Sequence, residues 1–125
     1  MDPVAGRILV VDDDAGLLRL MRSYLSRLGY EVDACQGAEE AWSLVKAAPS
    51  AYAVALVDLN MPGTHGGELA RRILRSSDST RLVILSGYPF GLCEVGGLDS
   101  RRVSFLGKPF SPAELADTVR NGRPV

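Results

Sequence analysis

Two short apolar runs in this chain end in carboxylates. Ile8-Leu9-Val10-Val11 leads into Asp12-Asp13-Asp14, and Ala53-Val54-Ala55-Leu56-Val57 leads into Asp58. Unbroken runs of this kind mark strands buried on both faces, as in parallel sheets covered by helices. If the two strands lie side by side and parallel, their acids meet at one edge of the sheet. Two carboxylates about 4 Å apart repel by about 4 kcal/mol at an effective dielectric of about 20. A fold that assembles such a cluster needs a compensating cation, and a hard divalent ion with oxygen ligands is the usual one. Lys108, placed after the further apolar run Val103-Ser104-Phe105-Leu106, offers a fixed positive charge as well. The crowding also predicts that at least one of these carboxyls has a pKa raised by like-charge repulsion.

The rest of the chain alternates strand-like and helix-like segments. Ala15 to Leu28 carries Leu17, Leu18, Met21, Leu25 and Leu28 at helical spacing, with Asp14 as its N-cap and Gly29 as its stop. Tyr30 to Cys35 alternates Tyr, Val and Ala with Glu31 and Asp33, the pattern of an edge strand with one wetter face. Ala38 to Ala48 reads as a helix closed by Pro49, and Gly66 to Ser76 as a helix with Leu69, Ile73 and Leu74 on its apolar side. Strands over Arg81–Leu85 and Val103–Leu106 end in Ser86-Gly87 and Gly107-Lys108-Pro109. Ser111, Pro112 and Glu114 form a capping-box signature for a last helix that runs out near Asn121-Gly122. Between Gly87 and Arg102 lie Gly91, Gly96, Gly97 and Pro89, so any helix there is expected to be short or irregular.

Alternating strands and helices predict a single α/β domain over residues 1–125, with its core at about 7–120 and a parallel sheet joined by right-handed crossovers. Ligands of such sheets bind outside the carboxyl ends of the strands. Those ends carry Asp12, Asp13, Asp58, Ser86 and Lys108. A net charge of −1 over 125 residues argues against direct nucleic-acid binding. Arg71, Arg72 and Arg75 cluster at helical spacing, which reads as a solvated helix face. Cys35 and Cys93 form no CxxC pair and read as reduced thiols, and the single histidine, His65, reads as an exposed loop residue. Neither a signal peptide nor a membrane-length apolar run is present, so a cytoplasmic protein without membrane contact is expected.

Four pieces of the chain, in order, resemble the receiver domains of two-component response regulators, the CheY-like domains. They are Ile8-Leu9-Val10-Val11-Asp12-Asp13-Asp14, Leu56-Val57-Asp58-Leu59-Asn60-Met61-Pro62-Gly63, Val83-Ile84-Leu85-Ser86-Gly87 and Phe105-Leu106-Gly107-Lys108-Pro109-Phe110. The resemblance runs from Arg7 to about Val119. It implies a doubly wound, flavodoxin-like sheet of five parallel strands in the order 2-1-3-4-5, with about five helices. It implies that Asp58 accepts a phosphoryl group and that Asp12, Asp13, Asp58 and the Asn60 carbonyl hold Mg²⁺, with Mn²⁺ as a possible substitute. Asp13 would bind the metal directly and Asp12 through water. Ser86 and Lys108 would contact the phosphoryl group, Phe105 would be the switch aromatic, Pro109 would follow Lys108 in a cis-prone bond, and Pro62-Gly63 would form the turn after the acceptor. Asn60 and Tyr88 fall where the family tunes the lifetime of the phosphoryl group.

The activity so implied is Mg²⁺-dependent transfer from the phosphohistidine of a sensor histidine kinase or histidine phosphotransfer domain to Asp58, which switches an output face. Such a domain catalyses only its own phosphorylation and dephosphorylation. It would act as a monomer or a phosphorylation-dependent dimer, alone or within a hybrid kinase or larger regulator, on an output partner the sequence does not name. Two departures stand out. Phe105 lacks the hydroxyl of the more common tyrosine, and the glycine-rich stretch after Ser86 falls where a helix normally builds the output face. A haloacid-dehalogenase phosphatase would also use an aspartate, Mg²⁺, Ser or Thr and lysine, but would normally carry a second aspartate where this chain has Asn60. A receiver-like module that binds partners without being phosphorylated is the third reading.

Overall fold

The computed structural model describes residues 7–59, 61, 66–87 and 101–121. Strand β1 (Arg7–Val11) is followed by helix α1 (Ala15–Arg27), β2 (Glu31–Cys35), α2 (Ala38–Ala47), β3 (Tyr52–Asp58), α3 (Gly66–Ser76), β4 (Arg81–Ser86), β5 (Val103–Gly107) and α4 (Pro112–Asn121). The strands form one parallel sheet in the order β2-β1-β3-β4-β5. That is the order the receiver-domain resemblance implies, and β2 lies at an edge, as its alternating pattern predicts. The irregular helix expected between β4 and β5 lies outside the described residues, as do Tyr88 and Cys93.

Alternation along each strand divides the core in two. Leu9, Val11, Ala55, Val57, Leu82 and Ile84 point to the face covered by α2 and α3. Ile8, Val10, Val54, Leu56, Val83 and Leu85 point to the face covered by α1 and α4. Both faces are therefore dry, which is why these strands read as continuous apolar runs.

Helix ends follow local chemistry. The Asp14 carboxylate accepts the Leu17 N–H at 3.1 Å and caps α1. At the other end Gly29 takes φ +103°, its N–H donates to the Ser26 carbonyl at 3.0 Å, and the Tyr30 N–H donates to the Leu25 carbonyl at 3.2 Å. This is a Schellman closure, which needs the left-handed region that glycine enters freely. The capping box of α4 is reciprocal: the Ser111 N–H donates to Glu114 Oε1 at 2.9 Å and the Glu114 N–H to Ser111 Oγ at 3.1 Å. Arg72 on α3 is exposed, as a solvated face implies, yet it ion-pairs with Glu68 at 2.8 Å and lies 5.6 Å over the Trp42 ring of α2. A cation over an aromatic face ties the two helices together.

The sequence carries no marker for Arg102, which braces the rim where the strands begin. Its guanidinium donates to the carbonyls of Leu74 at 3.2 Å, Thr80 at 2.9 Å and Ser77. It thereby satisfies the end of α3 and the turn into β4, while its own carbonyl accepts the Leu82 N–H at 2.7 Å and starts the β4–β5 ladder. Arg102→Ala is expected to destabilise the fold by about 2 kcal/mol, the scale of charge-assisted bonds lost with their acceptors left unpaired. Urea titration should show a lower midpoint at an unchanged slope. Arg102→Lys should recover only part of the loss, since one ammonium cannot fan donors to three carbonyls.

Candidate functional site

Register decides which side chains meet at the carboxyl rim. Val11 pairs with Val57, so Asp12 and Asp58 follow side by side. Asp58 pairs with Leu85, which places Ser86 one step beyond, and Ser86 pairs with Gly107, which places Lys108 next. The pairing continues past the strands. The Asp12 N–H donates to the Cys35 carbonyl at 3.1 Å, Leu59 N–H to Leu85 at 3.0 Å and Lys108 N–H to Ser86 at 2.8 Å. The rim is thus stitched across the whole sheet, and the side chains it carries have little freedom.

Asp12 and Asp58 are buried, while Asp13 is exposed. One carboxylate oxygen from each lies within 4.8 Å of the others. The Lys108 ammonium sits 2.8 Å from Asp12 Oδ2 and 3.2 Å from Asp58 Oδ2. Asp12 Oδ2 is fully buried, and the Lys108 ammonium is the charge that meets it. Asp12 Oδ1 is satisfied by the Asp14 N–H at 2.9 Å.

Burial pushes the Asp12 carboxyl above its ordinary pKa, with the charge of Asp58 adding to the shift and Lys108 and the Asp14 N–H opposing it. Like-charge repulsion, the cause expected from the sequence, is therefore the lesser one: at a site this dry, loss of hydration dominates. Burial by itself would lower the Lys108 pKa, but the hydrogen bond and charge of Asp12, with those of Asp58, outweigh it and hold the ammonium above its ordinary value.

The donor set fits a hard divalent cation. Three acids cluster beside one ammonium, two of them buried, and the exposed Asp13 opens the cluster to solvent. Asn60, Pro62, Gly63 and His65 lie outside the described residues. Lys108–Pro109 is a cis peptide bond. Phe105 sits opposite Ile84, half-buried against the core under α2 and α3. Burial raises the Cys35 thiol to about 12, which leaves it an inert core group. Gly66 reads in the sequence only as a helix start, yet it opens α3 directly against the backbone of Asp58.

The fold and this rim define a receiver domain, and comparison with known proteins agrees. Residues 8–120 match the family model of the response regulator receiver domain. The chain belongs to that family. It is 37% identical over 114 residues to the transcriptional regulatory protein ResD of Bacillus subtilis, covering 91% of this chain and 46% of that protein. The chain thus spans about half the length of this relative. Among solved structures, the chemotaxis protein CheY4 of Vibrio cholerae superposes with a TM-score of 0.81 at 25% identity, covering 96% of this chain and 100% of that one. The response regulator TrrA of Thermotoga maritima, in complex with Mg²⁺-BeF, superposes with a TM-score of 0.78 at 28% identity, covering 95% of this chain and 100% of that one.

The raised Asp12 pKa has a defined sign. The folded state favours neutral Asp12, so that contribution is complete below the ordinary aspartate value of 3.8 and is lost as pH rises through the folded value. At neutral pH without divalent metal, Asp12→Asn is expected to raise the melting temperature by a few degrees, and the gain should shrink as pH falls toward 4. A lower melting temperature at pH 7 would mean that the ion pair with Lys108 outweighs the cost of burial.

Proposed function

We propose that this domain is a phosphorylation-dependent switch in which Asp58 takes a phosphoryl group from a phosphohistidine and Mg²⁺ is required. The observation that carries the proposal is the convergence of Asp58, Asp12, Asp13 and Lys108 at one rim. Acids packed this tightly around one ammonium are poorly suited to structural duty. They suit a site that receives a cation and then an anion.

In the transfer, an Asp58 oxygen forms the new P–O bond as the P–N bond to the donor imidazole breaks, and the imidazole leaves. The approach of a carboxylate to a phosphoryl dianion is opposed by repulsion. Lys108, already 3.2 Å from Asp58 Oδ2, offsets it and stabilises the charge on the transferring oxygens. Asp12 and Asp13, with Asp58, would hold Mg²⁺. When bound, the metal neutralises the acids and supplies Lewis-acid stabilisation of the phosphoryl oxygens. Ser86, at the end of β4 beside Lys108, would donate its hydroxyl to the phosphoryl group. Phe105, on the neighbouring strand, would repack when that hydroxyl moves and so turn a local charge into a change of surface.

The domain would catalyse only its own phosphorylation and dephosphorylation. Its partners would be a sensor histidine kinase or histidine phosphotransfer domain and an output element, either another protein or a further segment of a longer chain. A cytoplasmic setting suits such partners, and no helix among the described residues is long and apolar enough to cross a membrane.

Intact mass after incubation with acetyl phosphate tests the proposal directly. The native chain should gain one phosphoryl group only with Mg²⁺ present, and Asp58→Asn should gain none. Absence of any gain, under every metal condition and with cognate phosphohistidine donors, would favour a module that binds partners without being phosphorylated. Millimolar Mg²⁺ should also raise the melting temperature of the native chain by mass action. An unmoved melting temperature would count against the acidic pocket as a metal site.

A further inference from the structure

We infer that Gly66 is a positioning residue for the acceptor, its missing side chain being what lets α3 start against the Asp58–Leu59 peptide. The inference rests on the phospho-acceptor reading of Asp58 and deepens it. A Cβ at Gly66 would lie 2.2 Å from the Asp58 carbonyl oxygen, 2.9 Å from Leu59 Cα and 3.0 Å from the Asp58 carbonyl carbon. All three are main-chain atoms, so no rotamer change relieves the contact. Gly37 and Gly87, by contrast, have nothing within 4 Å of the same position.

Neither side of the contact is free to retreat. The acceptor side is held by the Leu59 N–H, which donates to the Leu85 carbonyl at 3.0 Å, and by the pairing of Asp58 with Leu85. The helix side is held by Leu69, Ala70, Ile73 and Leu74, all buried, and by Arg102 on the Leu74 carbonyl. An added methyl group would therefore displace the Asp58–Leu59 peptide or the first turn of α3 by about 1 Å, a scale at which misplaced reacting groups lose on the order of 100-fold in rate. The Asp58 carboxylate rides on that peptide. Its 3.2 Å distance to Lys108 and its place in the acidic cluster move with it.

Gly66→Ala is the test, with Gly29→Ala as its control. Gly29 sits at the opposite rim, with φ +103° and nothing within 4 Å of its Cβ position, so alanine there strains the backbone and touches nothing at the site. Both variants should be less stable than the native chain. Only Gly66→Ala should slow labelling by acetyl phosphate with Mg²⁺, by about 100-fold, and weaken binding of Mn²⁺ alone. Labelling of Gly66→Ala at the native rate would overturn the inference, as would an equal slowing in Gly29→Ala. If the native chain is not labelled at all, the phospho-acceptor reading fails, and hydrogen exchange at the Leu59 amide decides the positioning separately. Faster exchange in Gly66→Ala than in the native chain supports it, and an unchanged rate overturns it. Should Gly66→Ala not fold, the native Leu59 amide must exchange as slowly as the amides of Leu82 to Leu85, and exchange at loop rates would overturn the pinned stem.

Discussion

The structure turns on a partly exposed ammonium held between two buried carboxylates. Lys108, at the end of β5, reaches Asp58 past β4 and Asp12 past β4 and β3, and it can do so only because every strand ends at the same rim. A parallel sheet makes this possible: one polarity for all strands puts all their carboxyl ends together. The ladder then fixes the offsets, so that Asp12 follows Val11 beside Val57 and Lys108 follows Gly107 beside Ser86. A slip of one residue in any pair would turn the strand's apolar faces over and take its polar residue out of the cluster. The hydrophobic layers under α1 and α4 and under α2 and α3 therefore do more than hold the sheet. They enforce the register that keeps the charges in contact.

The charge balance at the rim is incomplete. Three acids and one lysine leave an excess of negative charge at a site where Asp12 has no exposure at all. Burial disfavours both charges: at Asp12 it outweighs the pairing and raises the pKa, whereas at Lys108 the pairing outweighs it and holds the ammonium above its ordinary value. Such a site is poised toward whatever cation enters it. Ser86 and Phe105 lie on β4 and β5, the two strands nearest the lysine, and the Phe105 ring is half-buried.

Much of this was legible in the residues. Ile8 to Val11 and Val54 to Val57 announced doubly buried strands, and Asp14, Gly29, Ser111 and Glu114 announced helix ends, because each signal is local and each acts through its own backbone neighbours. The rim residues were legible for a different reason: a carboxylate that closes a doubly buried strand has to lie at the edge of the sheet, where charge can be met by charge. What the residues did not disclose depends on distant partners. Nothing near Arg102 in the sequence reveals that its guanidinium closes α3, and nothing near Arg72 reveals Trp42. The ranking of burial over repulsion at Asp12 likewise required knowing how dry the rim is. Gly66 belongs with these, since its reason lies in atoms of β3 that only the packed fold brings against it.

The two rims of the sheet divide the labour. Where the strands begin, polar groups are paired: the Tyr52 hydroxyl donates to Asp33 at 2.6 Å, Thr80 Oγ1 to the Tyr52 carbonyl at 2.6 Å, Arg81 to the Val119 carbonyl, and Arg102 to three carbonyls. Where the strands end, three acids are crowded beside a single ammonium. Local rules of a stable fold are kept at the first rim and broken at the second, and such breaches concentrate where function resides. The satisfied rim, with both hydrophobic layers, supplies the stability that lets the other rim stay under electrostatic strain. A variant that relieves the crowding should therefore gain stability and lose chemistry, whereas one that loosens Arg102 should lose stability and leave the geometry of Asp58 and Lys108 in place.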